Sequence, residues 1–264
     1  MDCINKELCI IKEGVSENLP YQITEYGKLL RSKIGLLILK MYGIEPTDTH
    51  LKFLTAIELT HTASLHHDDV IDNETTRRNS QTINSLKGNK LSVLYGNLIL
   101  TNALKIILAT DNTILSKHFN ETIQNMCKGE LIQNSQLYNL PSLEDYTEKS
   151  RLKTASLFKM AGQGLKILST DITQNIIDFT ENFGIGFQIK NDLDNLLTTK
   201  TDIENGIYTA PLIYAGGTEI TEYGIEKTKA LIDNYIQKGL NYLEKERDNQ
   251  YKKELIGVMQ CLKN

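Results

Sequence analysis

Tryptophan is absent from this chain of 264 residues, and proline occurs only four times. So few helix breakers let long helices run without interruption. Cysteine is equally sparse. Cys3, Cys9, Cys127 and Cys261 form no CxxC pair and no zinc spacing, so reduced thiols in a cytoplasmic setting are the expectation. Basic charge is not in excess: the formal net charge is -4, which argues against a broad basic face and against nucleic acid as a partner. The opening segment MDCINKELCIIKEGVSE has early acids and a short apolar run, and reads as neither a signal peptide nor an arginine-rich transit peptide. No uninterrupted apolar stretch reaches the roughly 18 residues that span a bilayer. LSVLYGNLILTNALKIILA comes closest, but Asn97, Asn102 and Lys105 interrupt it. The expectation there is a buried helix and no membrane span.

What the chain does have is helical periodicity. Leu30 is followed by Ile34, Leu37, Ile38 and Met41, and Phe53 by Ile57, Thr60 and Ser64. No alternating β-branched run is long enough to demand a sheet. Breaks fall at Gly43–Pro46, Asn79–Ser80, Gly88–Asn89, Pro141 and Gly206. Ser142 with Asp145 three residues later is an N-cap signal. Gly216–Gly217 ends another helix, and Lys227 to Lys253 reads as solvated amphipathic helices. With no repeat and no low-complexity linker, the expectation is all-α, one domain over residues 1–264.

The most informative stretch is ELTHTASLHHDDVID, Glu58 to Asp72. A helix turns about 100° per residue, so Asp68 and Asp72 share a face, with His61 two turns before Asp68 and Asp69 beside them. Carboxylates this close repel one another unless a cation intervenes. Their oxygens are hard ligands suited to Mg²⁺, which keeps waters and takes substrate phosphates as further ligands. Arg77 and Arg78 follow at once, and guanidinium groups match phosphate oxygens. Acids followed by paired arginines suggest a metal bridged to an anionic substrate. His66 and His67 read as surface hydrogen-bonding groups without an assigned role.

HTASLHHDDVIDNETTRRNSQTINSLKGNKLSVLYGN resembles the first aspartate-rich region of the trans-isoprenyl diphosphate synthases, the polyprenyl synthetase family. Further segments resemble the same family in order: Gly27–Ser32 (GKLLRS), Gly129–Gln133 (GELIQ), Lys153–Phe158 (KTASLF), Phe183–Ile189 (FGIGFQI) and Tyr208–Ile213 (YTAPLI). The resemblance implies an isoprenoid synthase-type bundle of long antiparallel helices around a central cavity, a homodimer, and two or three Mg²⁺ ions. It implies a prenyltransferase that condenses isopentenyl diphosphate with an allylic diphosphate. By matching position, Asp68 and Asp72, with Asp69, would hold the metal, and Asp192 would hold it from the second motif. Lys28, Arg31, His61 and Arg78 would bind isopentenyl diphosphate. Arg77, Lys153 and Lys200 would bind the allylic diphosphate, with Thr154 and Gln188 near the carbocation.

The second motif departs from the family's DDxxD. It reads Asn191-Asp192-Leu193-Asp194-Asn195, followed by a shorter loop, and Ile207 stands where the family has a lysine. A magnesium ion on this side is expected to be held more weakly or not at all. A class I terpene cyclase-like enzyme, or a non-catalytic subunit of a heteromeric synthase, stays open beside the prenyltransferase. Small residues at Ala63 and Ser64, five and four positions before Asp68, lead to an expected product of twenty carbons or longer.

Overall fold

The recurrent apolar spacing and the scarcity of proline give a chain built almost wholly from helices. A computed structural model describes residues 4–21, 27–77 and 80–263. The first helices are α1 (Asn5–Glu17), α2 (Leu30–Met41), α3 (Asp48–Ile71), α4 (Ile83–Lys87), α5 (Asn89–Leu108) and α6 (Thr113–Ser135). They are followed by α7 (Leu143–Ser150), a π-helical turn (Arg151–Ala155), α8 (Ser156–Leu168), α9 (Gln174–Leu197) and α10 (Thr201–Glu204). The chain ends with α11 (Ala210–Ala215), α12 (Glu222–Glu244), α13 (Gln250–Gln260) and a 3₁₀ turn. Among the described residues the only sheet is a two-stranded antiparallel pair, β1 (Thr76–Arg77) with β2 (Ser80–Gln81).

Local chemistry sets the helix ends. Gly43 takes a left-handed φ of 71° after α2, and the Thr47 side chain caps α3 in a reciprocal box with His50. Ser142 Oγ accepts the Asp145 N–H at 3.0 Å and starts α7 as the sequence suggests. Gly216, with φ of 71°, ends α11. Lys227 to Lys253 is carried by α12 and α13, each with one buried face.

The chain divides into two compact units, Met1–Phe119 and Asn120–Asn264. In the first, α3 packs along α5, with α1 and α2 also against α3. The core takes Phe53, Leu54, Ile57 and Leu59 from α3, and Ile34, Leu37, Ile38 and Met41 from α2. α5 turns small or slender residues inward: Ser92, Gly96, Ile99, Ala103 and Ile107. Its larger side chains Leu91, Val93, Leu94, Leu98 and Leu108 are exposed. The expected buried helix is therefore buried on one face only. By length and composition α5 is also apolar enough to cross a membrane, with 28% of its most apolar window covered by the chain.

In the second unit α9 packs against α8 and α12. Phe158, Phe183 and Phe187 form an aromatic cluster, with ring centroids 5.2 to 6.0 Å apart. Such pairs contribute about 0.5–1.5 kcal/mol each beyond their area burial. They brace α8 against the stretch of α9 that leads into the second motif.

Candidate functional site

The first group of candidate residues lies at the carboxyl end of α3. There the last carbonyls lack helical partners and the helix dipole is negative, which favours a cation. Asp68 and Asp72 are a turn apart, half-buried, and joined by a 2.8 Å hydrogen bond from the Asp72 N–H to the Asp68 carbonyl. Asp69 points the other way and is buried. Its Oδ1 accepts Arg77 Nε and lies 2.7 Å from Arg77 Nη2, while its carbonyl accepts Asn84 Nδ2 at 3.0 Å. Burial pushes the Asp69 carboxyl up, and Arg77 opposes that shift. Asp69 thus holds Arg77 in place, while Asp68 and Asp72 are the half-exposed acids of the group. Two half-exposed carboxylates on one face, at the negative end of a helix, fit a hydrated divalent cation.

Arg31 is buried on α2, and burial draws its guanidinium down to about 10 while Glu58 works against this. The Glu58 carboxylate also accepts the Ser32 N–H at 2.9 Å. Leu29, immediately before α2, is held in a left-handed conformation at φ 46°, a region that side-chain-bearing residues seldom adopt. This sharp turn sets the direction of exposed Lys28 relative to Arg31. His61 is half-buried on α3. Arg78 lies outside the described residues.

His66 is not the surface group expected. It is buried, its Nε2 is 2.6 Å from the Tyr21 hydroxyl, and its carbonyl accepts Ser92 Oγ at 3.1 Å. Burial, aided by His67 and Arg77, lowers its pKa to about 4. Tyr21 rises to about 12, mainly through burial and then through Asp69.

The second group lies in the other unit. The π-helical turn carries Lys153 and Thr154 and passes between two glycines. A β-carbon at Gly129 would strike the Lys153 backbone nitrogen, and one at Gly184 would lie 2.6 Å from Ala155 Cα. Those glycines in GELIQ and FGIGFQI let α6 and α9 close on the widened turn. As a result Lys153 pairs with Glu130, and Thr154 Oγ1 donates to Gln188 Oε1 at 2.6 Å. Gln188 Nε2 then donates to Asp192 Oδ1 at 2.6 Å, and the Tyr146 hydroxyl donates to Asp192 Oδ2 at 2.7 Å. Thr154, Gln188, Asp192 and Tyr146 form one continuous chain.

The rest of the second motif is committed elsewhere. Asp194 is exposed and both its oxygens lie 2.6 Å from Lys190 Nζ. Asn195 Nδ2 donates to Thr201 Oγ1 at 2.8 Å, while its Oδ1 accepts the Asp202 N–H at 3.2 Å. It therefore ties down the short loop and α10. Asn191 is exposed. Lys200, also exposed, sits in a left-handed turn at φ 58°. Among the described residues no group of three or more His, Cys, Asp or Glu side chains is placed to hold a metal ion. That holds for the first motif too; the second does not fit a metal because the side-chain oxygens of Asp192, Asp194 and Asn195 are all engaged within the chain.

Sequence reasoning missed Tyr146, Lys149 and Glu58. Tyr146 lies seven residues before Lys153, which was a usable signal; nothing in the spacing marked Lys149.

The polyprenyl synthetase profile matches residues 12–245. The chain is 33% identical over 203 residues to a prenyl transferase of Synechocystis sp., covering 72% of this chain and 63% of that protein. It is 34% identical over 206 residues to solanesyl diphosphate synthase 1, chloroplastic, of Arabidopsis thaliana, covering 72% of this chain and 51% of that one. It thus spans between about half and two thirds of the length of these relatives. In three dimensions it resembles a polyprenyl synthase from Caulobacter crescentus, solved with calcium and isoprenyl diphosphate. The TM-score is 0.88 at 21% identity, over 99% of this chain and 95% of that one. The profile match across most of its length makes this chain a member of the polyprenyl synthetase family.

Proposed function

We propose that this chain is a prenyltransferase that joins isopentenyl diphosphate to an allylic diphosphate, head to tail, giving a product of twenty carbons or longer. The observation that carries the reading is the split among the three acids of α3. Asp69 turns inward to fix Arg77, while Asp68 and Asp72 remain half-exposed on one face. Such a face suits a divalent cation, Mg²⁺ in this reading, which would screen the diphosphate charge as the allylic carbon–oxygen bond breaks. Calcium in the Caulobacter crescentus synthase is in keeping with a divalent site.

The chain's own groups do the remaining work. By their match to the family motifs, Arg77 and Lys153 are each assigned to the allylic diphosphate, and Lys28, Arg31 and His61 to the isopentenyl diphosphate. Lys200 is a further candidate for the allylic diphosphate. The Thr154 hydroxyl and the Gln188 amide, already bonded to each other at 2.6 Å, offer oxygen dipoles to the allylic cation. The isopentenyl double bond then attacks that cation. A proton leaves the new carbon chain for the departing pyrophosphate, so no side-chain base is required.

A single domain and a homodimer complete the proposal. The exposed row Leu91, Leu94 and Leu98 on α5 supports pairing with a second copy. Light scattering of Leu94→Arg should report the monomer if that face is the interface. Ala63 is buried whereas Ser64 is half-exposed, so Ser64 is the better position at which to test chain length. The deciding experiment is incubation with labelled isopentenyl diphosphate and each allylic diphosphate in turn, reading product length. No elongation with any pair would overturn the proposal.

A further inference from the structure

Lys149 on α7 is 4% exposed, and among the described residues its ammonium makes one hydrogen bond, long at 3.5 Å, to Gln133 Oε1. It also lies 4.9 Å from the centroid of the Tyr146 ring, whose hydroxyl holds Asp192. A buried ammonium with so little hydrogen bonding is costly unless acids offset it. Burial lowers its pKa, and Asp192, Asp202 and Glu130 act in the opposite direction. Three carboxylates therefore converge electrostatically on this one cation, with Lys153 as the second positive charge of the cluster.

The same cluster contains the motif in which aspartates are replaced by Asn191 and Asn195. Mg²⁺ asks for about six oxygen ligands in near-octahedral array. Here Asp192 is bound on both oxygens by Tyr146 and Gln188, Asp194 is bound by Lys190, and the Asn195 amide closes a loop. Ile207, at the position of the family lysine, lines a small pocket together with Lys149, Tyr146 and Gln133. Two negative charges and one positive charge are missing from the family pattern on this side, and a positive charge has appeared within it.

We propose that the Lys149 ammonium stands in for a divalent ion at the second motif, which binds no metal. Lys149 is then a positioning residue: it neutralises Asp192, and through Asp192 it holds the Gln188–Thr154 pair that faces the allylic cation. This inference rests on the prenyltransferase reading for its purpose, but its test does not.

The test counts Mn²⁺ bound per chain by electron paramagnetic resonance, with inorganic pyrophosphate present. All Mn²⁺ bound by the parent should disappear in Asp68→Ala/Asp72→Ala, and Asp192→Asn alone should lose none. Lys149→Gln should gain an ion, Lys149→Arg should gain none, and adding Asp192→Asn to Lys149→Gln should abolish the gain. An ion that survives in Asp68→Ala/Asp72→Ala and vanishes when Asp192→Asn is added overturns the proposal. So does a folded Lys149→Gln that binds no more Mn²⁺ than the parent. The Asp68→Ala/Asp72→Ala comparison leaves Lys149 untouched, so it decides the matter even if Lys149→Gln fails to fold. Failure to elongate isopentenyl diphosphate would sink the prenyltransferase reading and leave these counts to judge Lys149.

Discussion

The carboxyl ends of α3 and α9 carry related acidic motifs with opposite fates. On α3, Asp69 is buried against Arg77 and two acids are left half-exposed. On α9, Asp192 is buried between Tyr146 and Gln188, and the flanking positions are amides or, at Asp194, an acid paired with Lys190. Both motifs therefore contain one inward-facing aspartate used as a strut. What distinguishes them is whether half-exposed carboxylates share a face beside the strut. The second motif thus keeps the hydrogen bonds that shape the site although two of its positions are amides.

The largest test of this contrast is Asp68→Ala. Loss of one of the two half-exposed carboxylates should lower turnover by about a thousandfold or more, equivalent to roughly 4 kcal/mol in the transition state. Steady-state kinetics on variant protein with an unchanged circular dichroism spectrum measures it, and near-parental turnover would remove Asp68 from the site.

Beneath the first motif, neutral His66 should make the fold acid-sensitive. Its folded pKa of about 4 lies below its ordinary value of 6.5. The unfolded chain therefore binds the extra proton first. This stabilisation is complete above pH 6.5 and declines as pH falls towards 4, by on the order of 3 kcal/mol. Denaturant unfolding at pH 7 and pH 4.5 should show a smaller acid loss in His66→Gln than in the parent. Equal losses would mean that His66 titrates normally.

Beneath the second motif, packing rather than charge should dominate. Gly184→Ala places a methyl group against Ala155 and should cost about 1–3 kcal/mol of stability, with Thr154 displaced. Chemical denaturation reads the stability, and a neutral result would mean that the π-helical turn yields easily.

The smallest effect sharpens the comparison most. With Lys149 in place, Asn191→Asp should move the Mg²⁺ concentration for half-maximal activity by less than about twofold, because a cation already serves that side. A large shift to lower Mg²⁺ would mean that lost ligand charge alone separates the two motifs.

Much of this arrangement was legible beforehand because it is periodic or local. The 3.6-residue repeat identifies the helices, Ser142 and Gly216 mark helix ends, and the spacing of Asp68 and Asp72 puts them on one face. The sequence groups Asp69 with Asp68 and Asp72 as a metal holder; only the fold turns its carboxylate to Arg77. His66 and the outer face of α5 were misread because exposure depends on what packs nearby. His66 is covered by Tyr21 and Ser92, from distant parts of the chain, while α5 leaves its leucines uncovered.

The sequence by itself determined the helical class, the helix ends, the first motif and the family, since each is written in residue type and short-range spacing. Only the tertiary structure decided which aspartates are buried struts and which are half-exposed. It alone also brought Lys149 over the ring of Tyr146, whose hydroxyl holds Asp192, 43 positions beyond Lys149. Burial, hydrogen bonding and the field at an ammonium depend on neighbours through space, and a linear pattern does not contain those neighbours.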